Sequence, residues 1–192
     1  MNEETITYSL DFIAFSLDFD VKKKASIEWT LGFDSHGPDF VFAVAEIWLK
    51  AKEGRYLLVS EFDTGNLIET LKNLALILRN PNALPEIDGV PLGGLCAWQR
   101  GYWERLRQDC GASNDEKLYD LFAHLFFSTH DANCIAIYKY KNIATIEVAV
   151  QSGFGGFLDK WCEFDPELMA SKTDELMNLI VSAIKNQWKS MN

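Results

Sequence analysis

The sequence predicts an α+β domain built on antiparallel sheet, and three observations carry that expectation. Apolar residues alternate with polar ones through most of the first 62 positions, the two-residue period of a strand with one buried face. Three- and four-residue spacing then takes over, the period of a helix. Near position 134 the pattern returns to strands, with one further helix after them. Strands and helices run in blocks and do not alternate, and that order favours an antiparallel sheet over a parallel doubly wound one.

Tyr8 to Phe19 alternates but changes phase. Leu10 and Phe12 share one face, whereas Phe15, Leu17 and Phe19 share the other, so a bulge or a bend between two short strands is expected near Ile13-Ala14. Ile27, Trp29, Leu31 and Phe33 alternate cleanly and end in the turn signal Ser35-His36-Gly37-Pro38. Phe40 to Leu49 is nearly continuously apolar, as in a central strand, and Lys52-Glu53-Gly54-Arg55 turns the chain into Tyr56–Phe62. The expected N-terminal unit is a meander of four to five strands.

Leu67, Leu71, Leu74, Ala75 and Leu78 mark the first helix. Pro81, Pro85, Gly89, Pro91, Gly93 and Gly94 make the next stretch a long irregular connection. Trp98, Tyr102 and Leu106 then line a second helix, and Ser113 with Glu116 forms a capping box for a third through Phe126. Cys134–Tyr140 and Ile143–Gln151 flank Lys141-Asn142 at hairpin spacing. A last helix is expected to open near Ser171–Thr173 and to bury Leu176, Leu179, Ile180, Ala183, Ile184 and Trp188. About four helices thus pack on the meander and the C-terminal hairpin. No linker interrupts residues 1–192, which reads as one domain.

The formal net charge is −10 and uneven. Residues 1–69 hold 13 acidic and 6 basic groups (−7), residues 70–111 hold 4 and 5 (+1), and residues 112–192 hold 11 and 7 (−4). Such a field repels nucleic acid phosphates and anionic membranes and draws in basic partners. Cys96, Cys110, Cys134 and Cys162 form no C-x-x-C pair. The N-terminus lacks a signal-peptide pattern and no apolar run is long enough to span a bilayer, so a cytoplasmic location with reduced thiols is expected.

Several motifs invite a chemical reading. Asp63-Thr64-Gly65 resembles the catalytic loop of aspartic proteases, which need two such loops because two carboxylates must share one proton. No second copy occurs, and Asn66 with Glu69 reads as a capping box, so the tripeptide is expected to hand a strand over to a helix. Asp18 and Asp20 share one strand face and could hold a hard cation, but a solvated face compensated by Lys22-Lys23-Lys24 is the simpler expectation. His124, His130 and Asp131 lack the distant His and Asp of HD-type phosphohydrolases. Cys96 and Cys134 sit in apolar segments without an identifiable base. Gly153, Gly155 and Gly156 match no phosphate-loop pattern. No catalytic residue, metal site or cofactor is expected.

In size, acidity, cytosolic character and absence of a catalytic signature, the chain resembles bacterial immunity proteins of contact-dependent or polymorphic toxin systems. That resemblance implies a cognate protein toxin domain, such as a nuclease, blocked in a tight complex. Asp11, Asp18, Asp20, Asp34 and Asp39 are the expected steering residues. Trp103 and Arg105 are the expected contact residues from the one segment that is not acidic, where hot-spot residue types cluster. The alternatives are a small hydrolase or ligand-binding domain using carboxylates with a His or a metal, and a homo-oligomeric structural component.

Overall fold

The computed structural model describes residues 4–23, 44–87, 89–107, 127–128, 133–152 and 156–191. Strands β1 (Glu4–Asp11), β2 (Ser16–Lys23), β3 (Val44–Ala51) and β4 (Gly54–Asp63) form one antiparallel meander. Helix α1 (Thr64–Arg79), a single 3-10 turn (Pro81–Ala83) and helix α2 (Leu95–Arg107) follow. A second antiparallel meander comprises the two-residue β5 (Phe127–Ser128), then β6 (Cys134–Tyr140), β7 (Ile143–Ser152) and β8 (Gly156–Glu163). Helix α3 (Pro166–Met191) completes the described chain. The fold is α+β, with two separate sheets and three helices among the described residues. The strand expected at 27–33 and the helix expected from Ser113 to Phe126 lie outside them.

The phase change in the first strand pattern marks a full reversal. The Phe12 N–H donates to the Phe15 carbonyl at 2.8 Å, and β1 pairs with β2 from Asp11–Ser16 to Glu4–Lys23 without a register shift. Leu10 and Leu17 are therefore direct partners on the same face, which reconciles the two phases. β3 is a central strand, as expected, but only one of its faces is apolar. Ala45, Ile47 and Leu49 are buried, while Glu46 and Trp48 lie half-buried on the opposite face. The β6–β7 hairpin turns through Lys141 and Asn142, both with positive φ (51° and 65°), the backbone of a tight primed turn.

One core joins both sheets. Phe19, Ile47 and Leu49 from the first sheet meet Ile135, Ile146 and Val148 from the second. Over them lie Leu67, Leu71, Leu74 and Leu78 of α1, with Leu176 and Ile180 of α3. Full burial of each leucine stabilises by roughly 1.5–3 kcal/mol, so the α1 stripe read from the sequence is the main reason α1 packs where it does. Helices α1 and α3 lie against each other, tied at the surface by Arg79 and Asp174. Two further ties join the sheets. The Asn133 amide donates to the carbonyls of Leu57 (3.3 Å) and Leu58 (3.1 Å) on β4, and its Oδ1 accepts the Gln151 N–H at 2.8 Å. Lys160 of β8 reaches Glu53 at 2.5 Å.

The opposite face of the second sheet carries a smaller core of Cys134, Ala136, Tyr138 and Ala149 against Ile87, Val90, Leu95 and Cys96. The proline- and glycine-rich connection is thus anchored. The Ile87 N–H donates to the Lys139 carbonyl (3.0 Å), and the Lys139 N–H donates to the Pro85 carbonyl (2.8 Å).

Three boundaries differ from the sequence-based expectation. Helix α1 begins at Thr64, directly after β4, so Asn66 and Glu69 lie inside its first two turns and do not form its cap. Helix α3 begins at Pro166, where the Asp165 carboxylate accepts the N–H groups of Glu167 (2.9 Å) and Leu168 (3.2 Å). The buried face of α3 accordingly starts at Met169 and Ala170, while Leu179 is 47% exposed. Strand β8 was not expected, because the glycines before it read as the end of the sheet.

Candidate functional site

The described residues present four places where chemistry or recognition could reside. The first is the face of the N-terminal sheet turned away from the main core. Alternation along β2 puts Asp18 and Asp20 side by side on that face, and register places Ser9 and Thr7 of β1 opposite them. Ser9 Oγ donates to Asp18 and Thr7 Oγ1 to Asp20, both at 2.7 Å. Arg55 of β4 bridges the pair, Nε to Asp18 at 3.2 Å and a terminal nitrogen to Asp20 at 2.8 Å. Its guanidinium also stacks over Trp48, 4.6 Å from the ring centroid. Partial burial acts to lower the Arg55 pKa, but hydrogen bonding and charge from Asp20 and Asp18 outweigh it and raise the value.

These contacts correct the expected solvated face. Asp18 and Asp20 are only 4% and 6% exposed, and Arg55 answers them with a cation. Lys22 pairs instead with Glu46 at 2.5 Å, whose other oxygen accepts the Trp48 indole N–H at 3.2 Å.

The second place is Glu147, wholly buried in the middle of β7. Its carboxylate lies at the start of α2. Oε1 accepts the Cys96 N–H at 2.8 Å, and Oε2 accepts the Leu95 N–H and the Tyr138 hydroxyl, each at 3.0 Å. A helix N-terminus leaves its first N–H groups without intrahelical partners and carries a partial positive charge, so a carboxylate there meets both needs. Burial raises the Glu147 pKa, and the three donated hydrogen bonds oppose that rise. Burial and then the Glu147 charge push the Tyr138 pKa up. Burial, the adjacent Cys134 thiol and Glu147 push Cys96 well above its usual value. Both thiols are buried, as small core residues are. Sequence reasoning passed over Glu147, although one carboxylate inside Ile143–Val150, an otherwise apolar strand, was a readable signal.

The third place borders α2 and the edge strand β8. Phe157, Asp159 and Trp161 share one face of β8, with Phe157 38% and Trp161 41% exposed. Arg100 of α2 reaches over this face. It binds both Asp159 oxygens, at 2.8 and 2.9 Å, and stacks 4.1 Å from the Phe157 centroid. The Trp161 indole lies against Gly93, whose φ is +74° and where an added Cβ would sit 2.2 Å from Cδ1. Only glycine fits there, and its absence of a side chain seats the Trp161 ring.

The fourth place is a cleft of about 240 Å³ between β1 and α3, lined by Tyr8, Ser9, Leu10 and Asp11 on one side and Lys172, Glu175, Leu176 and Leu179 on the other.

Of the residues singled out in the sequence, Asp11 is exposed, accepts Ser16 Oγ at 2.7 Å and lines this cleft. Asp18 and Asp20 are brought together and do not line the cleft. Trp103 and Arg105 lie on α2, the helix that supplies Arg100. Asp34, Asp39, His124, His130 and Asp131 lie outside the described residues. Among the described residues, no three His, Cys, Asp or Glu side chains are grouped so as to hold a metal ion, and no helix is long and apolar enough to cross a membrane. Comparison with protein-family models, with curated proteins and with solved structures finds no match to this chain.

Proposed function

We propose that this chain is a non-enzymatic binding protein that neutralises a cognate toxin domain by forming a tight one-to-one complex. The observation that carries the reading is the strip on β8 and α2. Two half-exposed aromatic rings, Phe157 and Trp161, share a face of β8 with Asp159, which neutralises the Arg100 guanidinium stacked on Phe157. Binding energy at protein interfaces concentrates on such aromatic and arginine anchors, because they desolvate large areas with few rotors to freeze. Trp103 and Arg105, carried by the same helix, are the further contact residues of this reading.

Charge supplies the approach. The net −10 of the chain attracts a basic domain, such as a nuclease, and complementary charge raises the association rate more than it raises affinity. Asp11, Asp34 and Asp39 are the steering residues of this reading. Asp18 and Asp20 add a formal −2 that Arg55 reduces to −1, so their contribution is a weak, fixed one. The proposed place of action is the cytoplasm.

The test is a binding measurement with the domain encoded by the reading frame directly upstream. A one-to-one complex is expected, its association slowing as salt rises, and Trp161→Ala is expected to speed dissociation about 10- to 100-fold. A chain that binds no such domain but copurifies with a metal or small ligand, and turns over a phosphoester, overturns the reading in favour of a hydrolase.

A further inference from the structure

Among the described residues, strand β1 is an open edge of its sheet. Among the described residues it pairs with β2 alone, over eight positions and without a bulge. It contains no proline and no lysine, the residues that commonly blunt a free edge, and its acidic groups stand only at its ends, Glu4 and Asp11. The hydrogen-bonded turn between Phe12 and Phe15 sets the phase of the ladder. Bonding and non-bonding pairs alternate along an antiparallel ladder, so Leu10, Tyr8 and Ile6 bond across to β2. Asp11, Ser9, Thr7 and Thr5 therefore turn their own N–H and C=O groups away from β2, toward the open side.

The β1–α3 cleft borders the same strand. Lys172, Glu175, Leu176 and Leu179 recur at three- and four-residue spacing and so form one stripe of α3 along the cleft. Leu179 leaves an apolar surface exposed there, and Asp11 and Glu175 outnumber Lys172 in charge. We infer that an extended, basic segment of the neutralised partner adds to β1 as a further strand, with its lysine or arginine side chains directed to Asp11 and Glu175. This rests on the reading that the chain binds a toxin domain, and it names how. Main-chain hydrogen bonds to Thr7, Ser9 and Asp11 give the affinity of such an added strand, and the cleft gives its side-chain preference. A second copy of this chain is the poorer occupant, because it would bring another Asp11 and another net −10 to the same edge.

Amide hydrogen exchange on the full chain, alone and with the upstream-encoded domain, tests this directly. The Thr7, Ser9 and Asp11 amides are expected to exchange at least about 10-fold more slowly in the complex, as amides entering a stable ladder do. Asp11→Lys combined with Glu175→Lys is expected to weaken binding about 10-fold or more while the circular dichroism spectrum stays unchanged. A complex that forms with those amides unaltered overturns the strand addition and leaves the binding reading standing. Failure of any complex to form overturns both. Concentration-dependent protection of the same amides in the free chain, with a dimer in sedimentation, assigns the edge to a second copy and overturns the proposal.

Discussion

The outer face of the N-terminal sheet and the α2-facing side of the C-terminal sheet each bury carboxylates, and they stabilise them by opposite means. Asp18 and Asp20 are answered by a charge, the Arg55 guanidinium, with two hydroxyls completing the set. Glu147 is answered by dipoles, namely two backbone N–H groups of α2 and the Tyr138 hydroxyl. The first arrangement sits at the rim, where the Arg55 side chain is 38% exposed and solvent screens the pair. The second is dry, so each donor left without its acceptor bears its full desolvation cost. The interior carboxylate, with no cation beside it among the described residues, should therefore matter more to stability than the pair that forms the more conspicuous ion network.

Substitution at Glu147 breaks the comparison most sharply. Glu147→Ala strands the Leu95 and Cys96 N–H groups and the Tyr138 hydroxyl, and should cost about 3 kcal/mol or more in urea denaturation. Glu147→Gln keeps the shape but turns an N–H donor toward an N–H donor, so about 1–3 kcal/mol is expected. An equal or larger loss at Arg55 than at Glu147→Ala would reverse the ranking.

Arg55→Met leaves two nearly buried carboxylates facing each other. Removing one partner of a fully buried pair costs about 3–5 kcal/mol, and the exposure of Arg55 reduces the expectation to about 2 kcal/mol. Loss of the Trp48 stacking is part of that figure, so Arg55→Lys should recover less than half of it.

The pH profile sharpens the contrast. The folded-state pKa of Glu147 lies above its usual 4.5, so the folded chain holds this proton more tightly than the unfolded chain. Its contribution to stability is then full below about pH 4.5 and declines as pH rises through the folded value. A Glu147→Gln chain should lack this decline in its denaturation midpoint between pH 4.5 and neutrality, whereas Arg55→Met should keep it. The smallest effect is expected at the start of α3, where Asp165→Ala removes one cap and about 1 kcal/mol from the melting transition.

The same two regions show what a sequence can disclose. That Asp18 and Asp20 share a face followed from their spacing alone. That Arg55 answers them did not, because the partner lies 37 and 35 positions away and two strands over, beyond β3. Lys22, nearer in sequence, pairs with Glu46. The α1 stripe and the β6–β7 hairpin were legible because their signals are local. The start of α3 was legible too, in Asp165-Pro166, a cap residue followed by a proline suited to the first helical position, yet the leucine spacing farther along drew the boundary five residues late. Strand β8 was hidden because Asp159 and Lys160 dilute its alternation and its exposed face carries the aromatics. For the candidate surfaces, the β1 edge became visible only with the strand order, and the β8 strip only with Arg100 paired to Asp159 and stacked on Phe157.

The packing of α1 against α3 also sets an order of assembly. The first meander closes on strands that follow one another, and α1 leaves it directly, so these residues can pair as soon as they are made. The apolar stripe of α1 meets part of its cover only when residues 166–191 arrive, about 90 positions later, as the Arg79–Asp174 tie records. At roughly 5–20 residues per second, a ribosome takes several seconds to cover that distance. Through that interval Leu67, Leu71, Leu74 and Leu78 have only one side of their core, and the growing chain presents a leucine stripe that a chaperone can hold. Pulse proteolysis of stalled nascent chains would show α1 becoming protected only after α3 has left the exit tunnel.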